Sequence, residues 1–306
     1  MCQWPSSSRT KCAVLLCAAL GAAVPMVANA QTVNPATQQP PDAQDQKPDE
    51  RPHTWNMPPI EVYGKAPLRD DDRIGEYAQP RWTADRLLGE TRVYVIPKGK
   101  VEFEYWMVPE TPRDGFTDYA SSYEVEFGLP HRFQLDLYAV SHKEGVSGPM
   151  SFSEQKVELR YAFADWGKIW GNPTIYVEWK GLDAAPDHFE GKLLLGGEIR
   201  SGWHWGSNFV WEHEVAGAQE NSNEWTVGIS HTVVDSKFAL GVETQLALVN
   251  ELDGFGGRTP LERQFFIGPS MQIRPLPQMH LDFAPLFGTT EPASRAKVIV
   301  VLGYEF

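Results

Sequence analysis

Residues 295 to 306 read Arg295-Ala-Lys-Val-Ile-Val-Val-Leu-Gly-Tyr-Glu-Phe306, and their pattern decides how the remainder is read. Taken backwards in steps of two they give Phe306, Tyr304, Leu302, Val300 and Val298, with Glu305, Gly303 and Lys297 among the residues between. A strand turns alternate side chains to opposite faces, so one face is wholly apolar and the other mixed. A buried strand of a soluble sheet and a strand that crosses a membrane both satisfy this pattern. The other strands have to choose between them.

The same alternation recurs from Lys100 onward and predicts twelve strands. They cover 100–108, 117–128, 132–141, 154–163, 173–180, 191–200, 204–214, 223–231, 238–247, 264–274, 279–287 and 295–306. Thr91 to Ile96 reads as a further short strand or a lead-in. One face across the set carries Phe103, Leu137, Val157, Val177, Phe209, Trp225, Ile267 and Phe283 and no charged residue. A Lys or Arg facing lipid at mid-depth costs about 2–4 kcal/mol, so that absence is selective. The opposite face carries Glu102, Glu104, Glu124, Glu126, Asp136, Glu158, Glu178, Glu198, Glu212, Glu214, Glu224, Glu243, Asp282 and Glu305, with Arg160, Lys180, Lys192, Arg200, Arg274 and Lys297. Short connections alternate with longer ones, 164–172 being the exception.

The terminal residues Leu302, Tyr304 and Phe306 resemble the aromatic assembly signature of Gram-negative outer-membrane β-barrels. The resemblance is to that class as a whole and covers about 100–306. It implies an all-β transmembrane antiparallel barrel of about twelve strands in the cell outer membrane. The partners it implies are the assembly machinery, outer-membrane lipids and lipopolysaccharide. A soluble sandwich that buries the apolar face is the competing reading.

The domain reading is 1–30 signal peptide, 31–90 disordered Pro-rich periplasmic linker and 91–306 barrel. Arg9 and Lys11, the apolar run Cys12 to Val27 and Ala28-Asn-Ala30 have the form of a cleavable export signal. All three cysteines, Cys2, Cys12 and Cys17, fall within it, which leaves a thiol-free mature chain for an oxidising compartment. Residues 31 to 90 hold nine prolines and the run Asp70-Asp-Asp72. Pro59-Ile-Glu-Val-Tyr-Gly64 resembles the energy-coupling box of active outer-membrane receptors, but too few residues follow it for their plug domain. Arg73 to Trp82 is richer in aromatics, as a segment folding into the lumen or against a rim would be. With 40 acidic residues against 27 basic, nucleic acid is an improbable partner.

Function is read from the charged face. Fourteen carboxylates against six cations predict a passive channel with an acidic lumen that favours small cationic or neutral solutes. A structural barrel filled by ion pairs is the alternative, and a lipid-modifying enzyme the third reading. The sequence gives no catalytic residue, since Ser141-His142 and Ser230-His231 are sequence neighbours that turn to opposite faces and His213 has no serine that must pair with it. It gives no metal set of ligand spacing and no cofactor motif. Pro269 and Pro285 interrupt two predicted strands, which fits either a β-bulge or a weak seam in the wall.

Overall fold

The computed structural model describes residues 69–306 apart from Ala184. The predicted signal peptide, the linker up to 68 and the coupling-box-like stretch lie outside the described residues.

Period-two segments of nine to fifteen residues are long enough to cross a membrane as tilted strands. There are twelve: β3 (Val101–Thr111), β4 (Asp118–Gly128), β5 (Phe133–Glu144), β6 (Ser151–Ala162), β7 (Thr174–Leu182), β8 (His188–Arg200), β9 (Trp203–Glu214), β10 (Asn221–Val234), β11 (Phe238–Asn250), β12 (Glu262–Leu276), β13 (Met279–Gly288) and β14 (Ala296–Glu305). Each pairs antiparallel with its sequence neighbour, and β14 pairs with β3 to close the barrel. Closure removes the unpaired edge that hydrocarbon cannot satisfy. The connections 129–132, 201–202, 235–237 and 277–278 are short turns at one end, and longer loops lie at the other.

The faces settle the environment. Glu104, Glu124, Glu126, Asp136 and Glu243 are fully buried inside, while Val177 is 58% and Val242 52% exposed outside. A soluble barrel would have the opposite arrangement, so the sandwich reading fails. Leu302 and Tyr304 project outward from β14, and Phe306 just beyond it is exposed. At the short-turn end Trp203 stacks on His231 and Trp170 packs at a tilt against Trp205, amphipathic rings at the level of an interface.

Residues 69–99 run inside this wall, which corrects two boundaries. The described part of the expected linker, 69–90, packs in the barrel, and 91–96 belongs to the same inner segment and forms no strand. The segment contains the two-residue ladder β1 (Arg73–Ile74) with β2 (Gln79–Pro80) and a 3-10 turn at Arg81–Thr83. Tyr77, Trp82, Leu87, Val93, Tyr94 and Val95 make a small core with Ala162, Trp166 and Ala239. The Trp166 ring packs in T-shaped geometry on Trp82 and Tyr94 with centroids 5.6 and 5.3 Å away, and its backbone N–H donates to the Tyr77 carbonyl at 3.0 Å. This explains why the connection 163–173 is longer than the others at its end: it covers the inner segment.

The wall makes room for that segment with glycine. Gly196 stands opposite Gly206, and Gly206 opposite Gly228, so three adjacent strands lack side chains in one row. A Cβ on Gly228 would lie 2.7 Å from Leu88, and one on Gly206 2.9 Å from the Thr91 methyl group.

The β12–β13 ladder runs through Ile267↔Phe287, skips three pairs, and resumes at Met271↔Phe283 in unchanged register. No residue is inserted, so the bulge reading is overturned. Register places Pro269 opposite Pro285, and the backbone of Pro285 lies so close to Gly268 that a Cβ there would overlap its carbonyl.

Candidate channel lumen

Strand registry builds one continuous row of carboxylates. Across seven neighbouring strand pairs, Glu305 faces Glu102, Glu102 faces Glu126, Glu126 faces Asp136, Asp136 faces Glu158, Glu158 faces Glu178, Glu178 faces Glu190 and Glu190 faces Glu212. Neighbouring strands lie about 4.7–4.9 Å apart, and barrel strands are tilted. The row therefore climbs from the short-turn mouth, where β14 ends and β3 begins, to the loop end of β9.

Counter-charges flank the row. On its loop side lie Lys156 and Lys180, directly opposite one another, and on its short-turn side Arg160 and Lys192. Arg160 reaches Asp136 at 3.0 Å and also pairs with Glu158. Lys180 joins Glu190 at 2.6 Å and Glu212 at 2.8 Å, and Lys192 reaches Glu190 at 2.7 Å. On β3 and β4 the loop-side row is itself acidic, with Glu104 opposite Glu124. There the inner segment supplies the cations. Arg92 meets Glu104 at 3.2 Å, Glu124 at 3.8 Å and Glu126, and Arg86 meets Glu104 at 3.3 Å.

A second anchor holds the tip of the segment. Glu243 on β11 accepts the backbone N–H groups of Gly89, Glu90 and Thr91 at 2.7, 2.9 and 3.0 Å. Three donors on one buried carboxylate fix the tip in position. Lower down, Arg274 pairs with Asp70 at 2.6 Å and Asp85 at 2.8 Å. At the rim Asp71 accepts from Ser201 at 2.7 Å and Gly202 at 3.2 Å, with His204 Nε2 at 3.0 Å. Opposed by the desolvation that burial imposes, these bonds hold the Asp71 carboxyl below its usual value.

Above the tip is an open vestibule of about 460 Å³ lined by wall residues from β3 to β9 and by Arg86, Glu90, Arg92 and Lys297. Seven Lys and Arg line it against six Glu. The expected acid excess is therefore absent from the open part of the lumen. It is concentrated at β3–β4, under the inner segment. Tyr138, Tyr176 and Trp106 add aromatic surface to the vestibule.

The remaining predicted lumen residues are distributed as follows. Glu198 pairs with Arg73 at 2.9 Å, and Glu214 accepts from Glu220 N–H at 3.2 Å near the loop rim. Glu224 accepts from Gln245 at 2.5 Å, and Asp282 bonds His280 and Gln272. Lys297 is 3.6 Å from Glu90, and Glu305 pairs with Lys100. Arg200 does not line the lumen. A register shift between Glu198 and Arg200 leaves its exposed guanidinium 5.2 Å over Trp203 at the rim.

Arg86, Arg92 and Glu190 were not legible as lumen residues in the sequence, whereas His280 shares the parity of Asp282 and carries a neutral imidazole that a count of the charged face omits. Glu190 lies one residue before the predicted strand start at 191, and the two arginines lie in a segment without a period. His280 is bracketed by Asp282 and Glu102, the latter at 2.8 Å, so carboxylates occupy both ring nitrogens. His213 stacks on Trp211 and bonds Asn221 at 2.7 Å. Two groups bring ligand atoms within metal-binding reach, Glu102–Glu104–His280 and Glu104–Glu124–Glu126. In the second, Arg92 already stands as the cation.

No family model and no curated protein matches the chain. Among solved structures, an outer membrane channel from Pseudomonas putida F1 superposes with a TM-score of 0.52 at 8% identity, over 70% of this chain and 98% of that one. This chain has the fold of a closed, twelve-stranded transmembrane β-barrel. The NanC porin (TM-score 0.48, 10% identity, 67% and 98% covered) and the KdgM porin (0.44, 9%, 68% and 99%) also match the barrel. At such identities the likeness concerns the fold alone.

Proposed function

We propose that the barrel is a passive channel of the cell outer membrane for small polar solutes, with the vestibule as its entrance and the inner segment as a gate across its narrow half. The vestibule supports this reading most directly. It is a space of about 460 Å³ lined by charged and aromatic side chains, reached from the loop end. Beneath it the row of carboxylates passes on from Glu158 and Asp136 to Glu126 and Glu102. A solute entering meets balanced charge first and the acidic sector only where Arg86 and Arg92 now sit. Lipopolysaccharide and membrane lipids would surround the outward apolar belt, and the assembly machinery would insert it.

Single-channel recording of the refolded protein in planar bilayers, with potassium and chloride in a gradient, tests this. Low, intermittent conductance with cation preference is expected of the wild type. Sustained conductance is expected once the inner segment is displaced. The second reading, a filled structural barrel, is favoured by the packing of 69–99 against the wall, and a folded barrel silent even without that packing would establish it. The lipid-enzyme reading gains no support from His188, His204, His213 or His280, each of which has a ring nitrogen engaged by Glu212, Asp71, Asn221 and a carboxylate pair respectively.

A further inference from the structure

The barrel wall compensates its own charge on β6 to β8, where the carboxylate row runs between Lys156 and Lys180 on one side and Arg160 and Lys192 on the other. On β3 and β4 both rows are acidic. Glu102 faces Glu126 and Glu104 faces Glu124, and the hydrogen bonds and ion pairs of these four to the neighbouring wall are from His280, Gln134 and Trp106. Four buried carboxyls in such proximity are balanced only by cations or by shared protons. The wall has left a place for cations that it does not fill.

The geometry of that place is specific. The Trp106 indole N–H donates to Glu104 at 3.0 Å and to Glu124 at 2.8 Å, which fixes both carboxylates beside the ring. The Arg86 guanidinium lies 4.2 Å from the Trp106 ring centroid, the arrangement in which a ring face attracts a cation. Glu124 is fully buried, and its second oxygen has no hydrogen-bond donor among the described residues, the nearest cation there being Arg92 at 3.8 Å. The site holds two neighbouring guanidinium groups, Arg86 against the aromatic face and Glu104, and Arg92 among three carboxylates. Arg86, Arg92 and Trp106 all line the vestibule, so a solute arriving from the loop end reaches them directly.

We propose that Trp106, Glu104, Glu124 and Glu126 form a binding site for organic cations bearing a guanidinium or primary ammonium group, and that Arg86 and Arg92 occupy it as tethered stand-ins for the solute. The inference rests on the channel reading for the route by which the solute arrives. A tethered competitor lowers the apparent affinity of the free one by the fraction of time it vacates the site. Binding of the solute and release of the inner segment are then the same event.

Agmatine, with a guanidinium at one end and an ammonium at the other, is the probe. Its binding to the full chain in detergent micelles is measured by calorimetry for wild type, Arg92→Gln, and Arg92→Gln combined with Glu124→Gln. Arg92→Gln is expected to bind agmatine about tenfold more tightly than wild type, and Glu124→Gln to abolish the gain. A folded Arg92→Gln barrel that binds no better than wild type overturns the proposal. Should that variant fail to fold, Arg92→Lys keeps the charge but loses the planar fork, and an unchanged agmatine affinity there overturns it equally. Bilayer recordings of the same proteins separate the two readings. Agmatine binding without conductance keeps the site and removes the channel, whereas conductance without agmatine binding does the reverse.

Discussion

Gly206 on β9 stands directly opposite Gly228 on β10, and together they open the groove that takes Leu88 of the inner segment. Any side chain at either position would occupy that space. Gly228→Val is therefore expected to cost the docking of the segment about 1–3 kcal/mol through overpacking while leaving the strand ladder intact. The checks are retained heat-resistant migration on electrophoresis and a rise in bilayer conductance over wild type. An unchanged conductance would sink the gate.

Glu243 provides a second, independent hold on the same tip. Replacing it by Leu removes the acceptor for the backbone N–H groups of Gly89, Glu90 and Thr91, which that carboxylate now satisfies. Each bond to a charged acceptor contributes about 1.5–3 kcal/mol. Hydrogen exchange should accelerate at 89–91 and far less at 77, 82 and 95, whose environment is the apolar cluster.

The rim contact depends on pH. Asp71 has a carboxyl pKa held below its usual value of 3.8 by His204, Ser201 and Gly202 against the cost of burial. Its contribution is therefore complete above the unfolded value and disappears as pH falls through the folded one. At neutral pH Asp71→Asn should destabilise docking by about 1 kcal/mol, a modest figure because the carboxylate is partly exposed. The difference between variant and wild type in thermal unfolding should be constant from pH 7 to about 5 and shrink below about 4. A difference that does not begin to shrink as pH falls below about 4 would contradict the assignment.

The interrupted ladder between Ile267↔Phe287 and Met271↔Phe283 predicts locally weak protection. Amides of Ile267, Met271, Phe283 and Phe287, which border the gap, should exchange faster than those of Gly268, Ser270, Ala284 and Leu286, which face the continuous ladders to β11 and β14. Replacing Pro269 and Pro285 by Thr supplies two backbone donors and should add about 0.5–1.5 kcal/mol for each bond formed. Uptake of polar solutes should stay unchanged in that double variant, and an effect confined to apolar solutes would identify the seam as a sideways route.

Local alternation was enough to give the number of strands, their outward and inward faces and the closed all-β architecture. The reason is that a side chain's face depends only on its parity within its own strand. Val177 and Glu178 are adjacent, and the sequence alone assigns one to lipid and the other to the lumen. Which lumen residues meet is set by registry, a property of strand pairs and of the shear of the whole barrel. No single strand of the sequence shows that Glu102, Glu126, Asp136 and Glu158 share one climbing row, or that β6 to β8 neutralise it while β3 and β4 do not. The inner segment was legible only as an aromatic-rich stretch at 73–82. Its apolar residues pack on Ala162, Trp166 and Ala239 from separate parts of the wall, and its arginines answer carboxylates on two strands. Such partners impose no period on the segment that meets them, so only the tertiary structure placed Arg86 and Arg92 in the acidic sector.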